Sequence, residues 1–117
     1  LFVRQIQEGG KMTVVGDGLQ TRDYTNVSDV VDINLAAATC EHDDVCGEII
    51  NVGTGTSHSV LDIVEMLKPG HFEYIPARPG EARHTLADIT KAQTLLEFDP
   101  KIKLEDWIDN HKKEVGL

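Results

Sequence analysis

The stretch that says most about this sequence is Arg78-Pro79-Gly80-Glu81-Ala82-Arg83-His84, which runs into Ala87-Asp88-Ile89-Thr90-Lys91-Ala92. Its Pro-Gly pair predicts a tight turn, because proline presets φ and glycine tolerates a positive φ. Arginines beside such a turn present planar donor groups that match phosphate oxygens two at a time. The stretch is therefore either a phosphate-binding loop ahead of a helix or a solvated, charged surface loop.

Composition limits both the size and the partners of the protein. At 117 residues the chain is one domain at most. Twenty acidic and eleven basic residues leave a formal charge of −9, which argues against nucleic acid and anionic membranes, because both need a basic surface. No apolar run approaches the roughly 18 residues of a membrane-spanning helix. Two cysteines favour a reducing cytoplasm over a disulfide scaffold.

Hydrophobic periodicity and turn residues predict strands alternating with helices, which is the mixed α/β class. We expect short strands at Met12–Val15, Glu48–Val52 and Phe72–Ile75. Helices are expected to end near Ile6, to span Ser28–Cys40 with Ser28 as N-cap, to begin at Ser59 with a capping-box pair to Asp62, to follow Asp88 or Thr90, and to span Leu104–Val115.

Two further segments share the order of a known family. They are Gly16-Asp17-Gly18-Leu19-Gln20-Thr21-Arg22-Asp23-Tyr24, followed by Val27-Ser28-Asp29-Val30, and Asn51-Val52-Gly53-Thr54-Gly55. Together with residues 78–92, this ordered set resembles the C-terminal part of the NAD-dependent nucleotide-sugar epimerase/dehydratase family of extended short-chain dehydrogenases. The resemblance extends from Phe2 to about Ile108. It implies that residues 1–117 form a single domain, the substrate-binding portion of an extended Rossmann-type enzyme.

The family's other motifs have no counterpart here. Members carry an N-terminal glycine-rich dinucleotide loop and a Tyr-x-x-x-Lys catalytic pair, but Tyr24 is followed four residues on by Ser28 and Tyr74 by Arg78. Gly53-Thr54-Gly55 lacks the third glycine of the dinucleotide fingerprint, so we expect it to form a sharp strand-to-helix turn. The resemblance therefore implies that NAD binds an N-terminal domain absent from this chain, and that the chain alone has no turnover.

The resemblance assigns substrate contacts to two arginines and one carboxylate. Arg22 matches the arginine that binds the nucleotide-sugar diphosphate, although a surface ion pair with Asp23 or Asp17 is the alternative. Arg78 matches a second phosphate contact. Glu81, three positions later, matches the acceptor of ribose hydroxyls, a role that suits a carboxylate because it only accepts hydrogen bonds. Arg83 is expected to balance Glu81.

Two more contacts follow from the resemblance alone. Thr13, Val14 and Val15 match the segment that lines the nucleotide base, with ordinary strand core as the alternative. Thr85 falls where epimerases place a residue that limits the substituent at the sugar's C2. A threonine there is small, which implies that an N-acetylated sugar could be admitted.

The function implied is nucleotide-diphosphate-sugar binding within an NAD-dependent sugar 4-epimerase, with a UDP-sugar as substrate. The alternatives are a dTDP- or GDP-sugar 4,6-dehydratase or a related reductase, and a non-catalytic nucleotide-binding or interaction module. No metal site is expected at Cys40–Cys46, because structural zinc sites normally draw four ligands. Apolar surface at Phe2, Ile6 and the Ser28–Cys40 helix predicts a homo-oligomer.

Overall fold

The computed structural model describes residues 1–117, which form short strands alternating with helices, as predicted for the mixed α/β class. The helices are α1 (Phe2–Gln7), α2 (Val27–Thr39), α3 (Val60–Leu67), α4 (Thr90–Leu96) and α5 (Leu104–Val115), with a 3₁₀ turn at Asp43–Val45. The strands are β1 (Met12–Val15), β2 (Thr21–Arg22), β3 (His58–Ser59) and β4 (Phe72–Ile75).

The pairing of β1 with β4 places two of the sequence motifs side by side. The two strands are parallel, in a register that runs from Met12 opposite Phe72 to Val15 opposite Ile75. Parallel strands end at the same edge, so the chain after Val15 and the chain after Ile75 leave the pair together. The backbone N–H of Gly16 extends the pairing by donating to the Ile75 carbonyl at 2.9 Å.

A second strand pair fixes the segment that carries Arg22. Strand β2 runs antiparallel to β3, with Arg22 opposite His58. On its other side the Thr21 N–H donates to the Arg83 carbonyl at 2.9 Å, and the Thr85 N–H donates to the Thr21 carbonyl at 3.1 Å. Strand β2 therefore lies between β3 and the loop that precedes α4.

Two separate apolar clusters hold the elements together. The larger joins β1 to α3 and α5 and consists of Ile6, Met12, Val14, Ile63, Val64, Leu67 and Ile108. The smaller lies between α2 and α4 and consists of Ile33, Ala92 and Phe98. Only 15 of the 117 residues are buried, and the radius of gyration is 17.1 Å, whereas a compact domain of this length has about 13 Å. Much apolar surface therefore remains open.

The helix starts were predicted with mixed success. Ser59 and Asp62 form the expected capping box, with the Asp62 N–H donating to the Ser59 hydroxyl at 3.0 Å and the Ser59 N–H to the Asp62 carboxylate at 2.7 Å. The assignment of Ser28 as an N-cap was wrong. Asn26 caps α2 instead, because its side chain accepts from the Ser28 N–H at 2.9 Å.

The predicted strand Glu48–Val52 was also wrong. This segment runs without regular structure, and none of the backbone N–H groups of residues 49–52 donates a hydrogen bond within the chain. Ile50 and Val52 pack against the smaller apolar cluster, whereas Ile49 is 87% exposed. Packed and exposed side chains alternate here as they do in a strand. A strand also needs a neighbouring strand to hydrogen-bond with, and none pairs with this segment.

The helices lack the length and the apolar character that crossing a membrane requires. The longest, α2, has 13 residues, whereas a bilayer needs about 20. Both cysteines, Cys40 and Cys46, are free thiols.

Candidate functional site

A cleft of about 230 Å³ opens at the edge where β1 and β4 end. It is formed by the turn after β1 and the Pro-Gly loop after β4, so the parallel strand pair brings together segments sixty residues apart in sequence. The residues that line it are Val15, Gly16, Asp17, Gln20, Ala77, Arg78, Glu81, Ala82 and Arg83. Gln20 is buried, and its side-chain amide donates to the Val15 carbonyl at 3.0 Å, which holds the turn against the strand.

Three of the four arginines of the chain lie at this cleft, although the net charge is −9. Arg22 lies beside it, with a guanidinium nitrogen 3.7 Å from the Glu81 carboxylate. A second Arg22 nitrogen donates to the Thr21 carbonyl at 2.7 Å. Arg78 is exposed on the cleft wall and makes no hydrogen bond or ion pair within the chain. The structure thus brings Arg22, Arg78 and Glu81 together.

Arg83 does not balance Glu81 as expected. It forms a two-pronged ion pair with Asp17, with nitrogen–oxygen distances of 2.7 and 2.8 Å. The hydrogen bond from Arg83, together with the Leu19 N–H, lowers the pKa of Asp17 to about 2. The alternative pairings of Arg22 with Asp17 or Asp23 are absent, because Asp17 engages Arg83 and Asp23 accepts other donors.

The remaining residues assigned by resemblance lie at different depths. The Val14 side chain is fully buried in the larger apolar cluster, which favours strand core for that side chain. Val15 lines the cleft. The Thr13 hydroxyl accepts from the Gln5 side-chain amide at 3.0 Å. Thr85 is exposed and is held by its backbone next to Thr21, outside the cleft lining.

Sequence reasoning missed the carboxylate of Asp23, which is the most heavily hydrogen-bonded group of this region. It accepts from the Thr54 N–H at 2.9 and 3.0 Å, the Thr54 hydroxyl at 2.7 Å, the Gly55 N–H at 3.0 Å and the Ala87 N–H at 3.4 Å. Burial alone would raise the pKa of Asp23, but the donors at Thr54, Gly55 and Ala87 outweigh it and lower that pKa. The carboxylate thereby joins three separate stretches of chain.

Gly53 explains how these stretches come so close. A Cβ at this position would lie 2.4 Å from the Ala87 Cβ and 2.6 Å from an oxygen of Asp23. No side chain fits there without displacing one of them. The chain bends at Gly53 and at Gly55, where φ is +71°, and the bend packs on the protein itself. The predicted strand-to-helix turn was wrong in its neighbours, because no strand precedes the bend and β3 follows it.

Larger cavities elsewhere lack this chemistry. One of about 610 Å³ lies between the 3₁₀ turn and α4, but its single cation, Lys91, is already paired with Glu48 at 2.6 Å. Another, of about 440 Å³, lies between Tyr24 and α5 and contains His58, which is 3.6 Å from Glu105. No group of three or more histidine, cysteine or acidic side chains is placed to hold a metal ion. The cleft at β1 and β4 is the one with several guanidiniums.

Several solved structures of similar fold are UDP-sugar 4-epimerases. The chain superimposes on a UDP-glucuronic acid 4-epimerase from Bacillus cereus, solved with UDP-glucuronic acid and NAD, with a TM-score of 0.81 and 30% identity; the match covers 98% of this chain and 38% of that one. A UDP-glucose 4-epimerase from Thermotoga maritima with UDP-glucose gives a TM-score of 0.80 at 32% identity, covering 97% and 38%. These likenesses place the fold among extended short-chain dehydrogenases.

Sequence comparison agrees. YtcB, an uncharacterized UDP-glucose epimerase of Bacillus subtilis, is 33% identical over 114 residues, which are 93% of this chain and 35% of YtcB. The family described as GDP-mannose 4,6 dehydratase matches residues 1–111. The chain belongs to this family of extended short-chain epimerases and dehydratases. It spans about a third of the length of the relatives it matches.

Proposed function

We propose that this chain is the part of an NAD-dependent sugar 4-epimerase that binds the nucleotide-diphosphate-sugar, with a UDP-sugar as substrate. The observation that carries the proposal is the convergence of Arg22, Arg78 and Glu81 at one cleft of a chain with net charge −9. An acidic chain holds an anion only where cations are concentrated locally. The similar solved structures contain UDP-sugars, which supports a UDP-sugar here.

In this proposal each group has a distinct role. Arg22 and Arg78 donate to the diphosphate oxygens, because guanidinium forks match phosphate in pairs. Glu81 accepts from the two ribose hydroxyls. The nitrogen–oxygen distance of 3.7 Å between Arg22 and Glu81 exceeds that of a strong charge-assisted hydrogen bond. Both groups can therefore exchange this contact for the ligand, while Thr13 and Val15 border the base.

NAD does not fit these residues. The Gly53-Thr54-Gly55 turn is filled by Asp23 and Ala87, so its glycines serve protein packing and leave no room for a pyrophosphate. We propose that NAD, which carries the hydride chemistry of such enzymes, is bound by an N-terminal dinucleotide-binding domain outside residues 1–117. The chain alone is then expected to position substrate without turning it over.

We also propose two alternatives to the epimerase: another enzyme of the same family, and a non-catalytic module. A 4,6-dehydratase or related reductase acting on a GDP- or dTDP-sugar is favoured by the description of the matching family. A UDP-N-acetyl-α-D-glucosaminuronate decarboxylase of Bacillus cytotoxicus is 31% identical over 125 aligned positions. A non-catalytic nucleotide-binding module would use the same cleft without the hydride chemistry.

The proposed function is tested by titrating the ¹⁵N-labelled chain with UDP, GDP and NAD. We expect UDP to shift the signals of Arg22, Arg78 and Glu81, because the diphosphate and ribose meet these groups directly. NAD serves as the control, since its pyrophosphate is expected to find no site. A response to GDP alone would favour the dehydratase alternative, and no response to UDP or GDP would contradict binding by this chain.

Replacing Thr85 tests the choice of sugar. We propose that the small threonine admits an N-acetyl group at C2, so Thr85→Tyr in the full-length gene product should slow turnover of UDP-N-acetylglucosamine about tenfold or more, which is the scale of steric discrimination in a pocket. UDP-glucose turnover is the control and should stay within about twofold. Equal rates of the variant and the unaltered protein on the N-acetylated sugar would refute the role of Thr85.

We also propose that the chain self-associates through α2. Val27, Val31 and Leu35 lie at four-residue spacing on one face and are 72%, 50% and 59% exposed. Phe2 and Ile6 were also expected to contribute apolar surface to self-association. Ile6 is buried and Phe2 is half-buried, so α2 carries the larger exposed apolar surface. Sedimentation at high concentration should show dimers or larger species that Val31→Lys with Leu35→Lys abolishes. The control Ala37→Lys, at an exposed position about 120° around the helix from this face, should preserve them. A monomer at millimolar concentration would contradict this.

A further inference from the structure

Arg22 is fixed by the residues on both sides of it. Thr21 is paired through its backbone with Arg83 and Thr85, and its hydroxyl shares a hydrogen bond of 2.9 Å with His84 Nδ1. Asp23 follows Arg22 directly and holds Thr54, Gly55 and Ala87. The Arg22 backbone therefore has its position set by contacts on either side.

The three stretches joined at Asp23 include the loop that carries the other proposed ligand groups. The segment ending at Ala87 contains Arg78 and Glu81, which line the cleft, and Glu81 lies 3.7 Å from the Arg22 guanidinium. The Gly53–Gly55 turn fixes the other side of the carboxylate. Five donors, from Thr25, Thr54, Gly55 and Ala87, converge on one anion. Such charge-assisted hydrogen bonds are about twice as strong as neutral ones. The distance between Arg22 and Glu81 thus depends on this carboxylate.

We infer that Asp23 is a positioning residue for substrate binding: its carboxylate holds the Arg22 backbone so that the guanidinium lies beside Glu81, at the edge of the cleft that we propose binds a nucleoside diphosphate. The inference rests on the proposed function of the cleft. Asp23 itself touches no ligand in this scheme, since its oxygens are occupied by Thr54, Gly55 and Ala87. It acts through the backbone that it shares with Arg22.

A double-mutant cycle in the full-length gene product tests the inference, with UDP affinity as readout. Asp23→Asn keeps the shape but turns an amide NH₂ toward the donors of Thr54, Gly55 and Ala87. We expect UDP to bind about tenfold more weakly, and the same change in an Arg22→Met background to cost less than about twofold, because the residue through which Asp23 acts is gone. Equal losses in both backgrounds would overturn the inference, since a general effect on folding does not depend on Arg22.

Asp88→Asn is the matched control. This variant also replaces a carboxylate by an amide. The Asp88 carboxylate, however, accepts only from its neighbour Thr90, from the N–H at 3.0 Å and from the hydroxyl at 2.6 Å. The variant should leave UDP affinity within about twofold. If Asp23→Asn does not fold, Thr54→Val takes its place in the cycle and should show the same dependence on Arg22. This change removes the hydroxyl that donates to Asp23, together with its local contacts to Thr56, and keeps the Thr54 N–H donor.

A second readout separates this inference from the proposed function. In ligand-free protein labelled with ¹⁵N-arginine, the Nε–Hε signal of Arg22 should shift in Asp23→Asn and stay in place in Asp88→Asn. If the unaltered protein binds no UDP, the proposed function fails, while this spectrum still decides whether Asp23 positions Arg22. An unchanged Arg22 signal in Asp23→Asn would refute the inference.

Discussion

Replacing Gly53 by alanine is expected to lower the free energy of unfolding by about 3 kcal/mol, which combines the costs of overpacking and of lost charge-assisted hydrogen bonds. The added Cβ would overlap the Ala87 Cβ at 2.4 Å and an Asp23 oxygen at 2.6 Å. Neither neighbour is the free end of a flexible side chain, because Asp23 is held by five donors and the Ala87 Cβ is fixed to the backbone. The methyl group must therefore break this junction to be accommodated.

Gly10→Ala is the control for this change. A Cβ at Gly10 meets only the Gln5 carbonyl oxygen, at 3.4 Å, and its backbone does not need a positive φ. The same substitution there should change stability by less than about 1 kcal/mol, which is the scale of a glycine-to-alanine backbone effect. Urea titrations of both variants measure the difference. Equal stability of Gly53→Ala and the unaltered chain would contradict the close packing at Asp23.

Local patterns predicted the elements whose stability is local. The capping box at Ser59 and Asp62 and the helix of Leu104–Val115 depend on residues within a few positions of one another. The β-prone runs at Met12–Val15 and Phe72–Ile75 form strands because each run is the hydrogen-bonding partner of the other. The segment Glu48–Val52 has the same β-prone character and still forms no strand here. Its hydrogen-bond partners would have to come from another strand, and no local pattern states whether one is present.

The candidate site shows the same division. The resemblance pointed to Arg22, Arg78 and Glu81. The parallel pairing of β1 with β4 places Arg78 and Glu81 at one cleft, and the pairing of β2 with β3 holds Arg22 beside it, 3.7 Å from Glu81. The pairing of Arg83 with Asp17 spans sixty-six positions, and Asp23 meets Thr54 across thirty-one. Such contacts follow from the assembled fold. The one sequence signal of close packing near Asp23 was the pair Gly53 and Gly55, which lacks the third glycine of a dinucleotide loop.

Removing both proposed diphosphate ligands should have the largest effect on binding. In Arg22→Met with Arg78→Met, the stems of the side chains remain and the guanidiniums are lost. Hydrogen bonds to charged groups contribute about 1.5–3 kcal/mol each, so the pair should weaken UDP binding by about a thousandfold, or about 4 kcal/mol. If the two arginines share one phosphate oxygen, each single variant should lose less than half of the binding free energy that the double variant loses. The reason is that contributions of neighbouring contacts are not additive.

Arg4→Met separates a local effect from a change in net charge. Arg4 is the one arginine outside the cleft; it lies on α1, is 81% exposed and pairs with Glu8 at 2.8 Å. Its replacement removes one positive charge, as each single variant at the cleft does, and should leave UDP affinity within about twofold, because Arg4 is not part of the cleft lining and its exposed charge is screened by salt. Calorimetric titration of the four variants and the unaltered protein at two salt concentrations checks this. A comparable loss in Arg4→Met would show that bulk charge, and not the geometry of Arg22 and Arg78, holds the nucleotide.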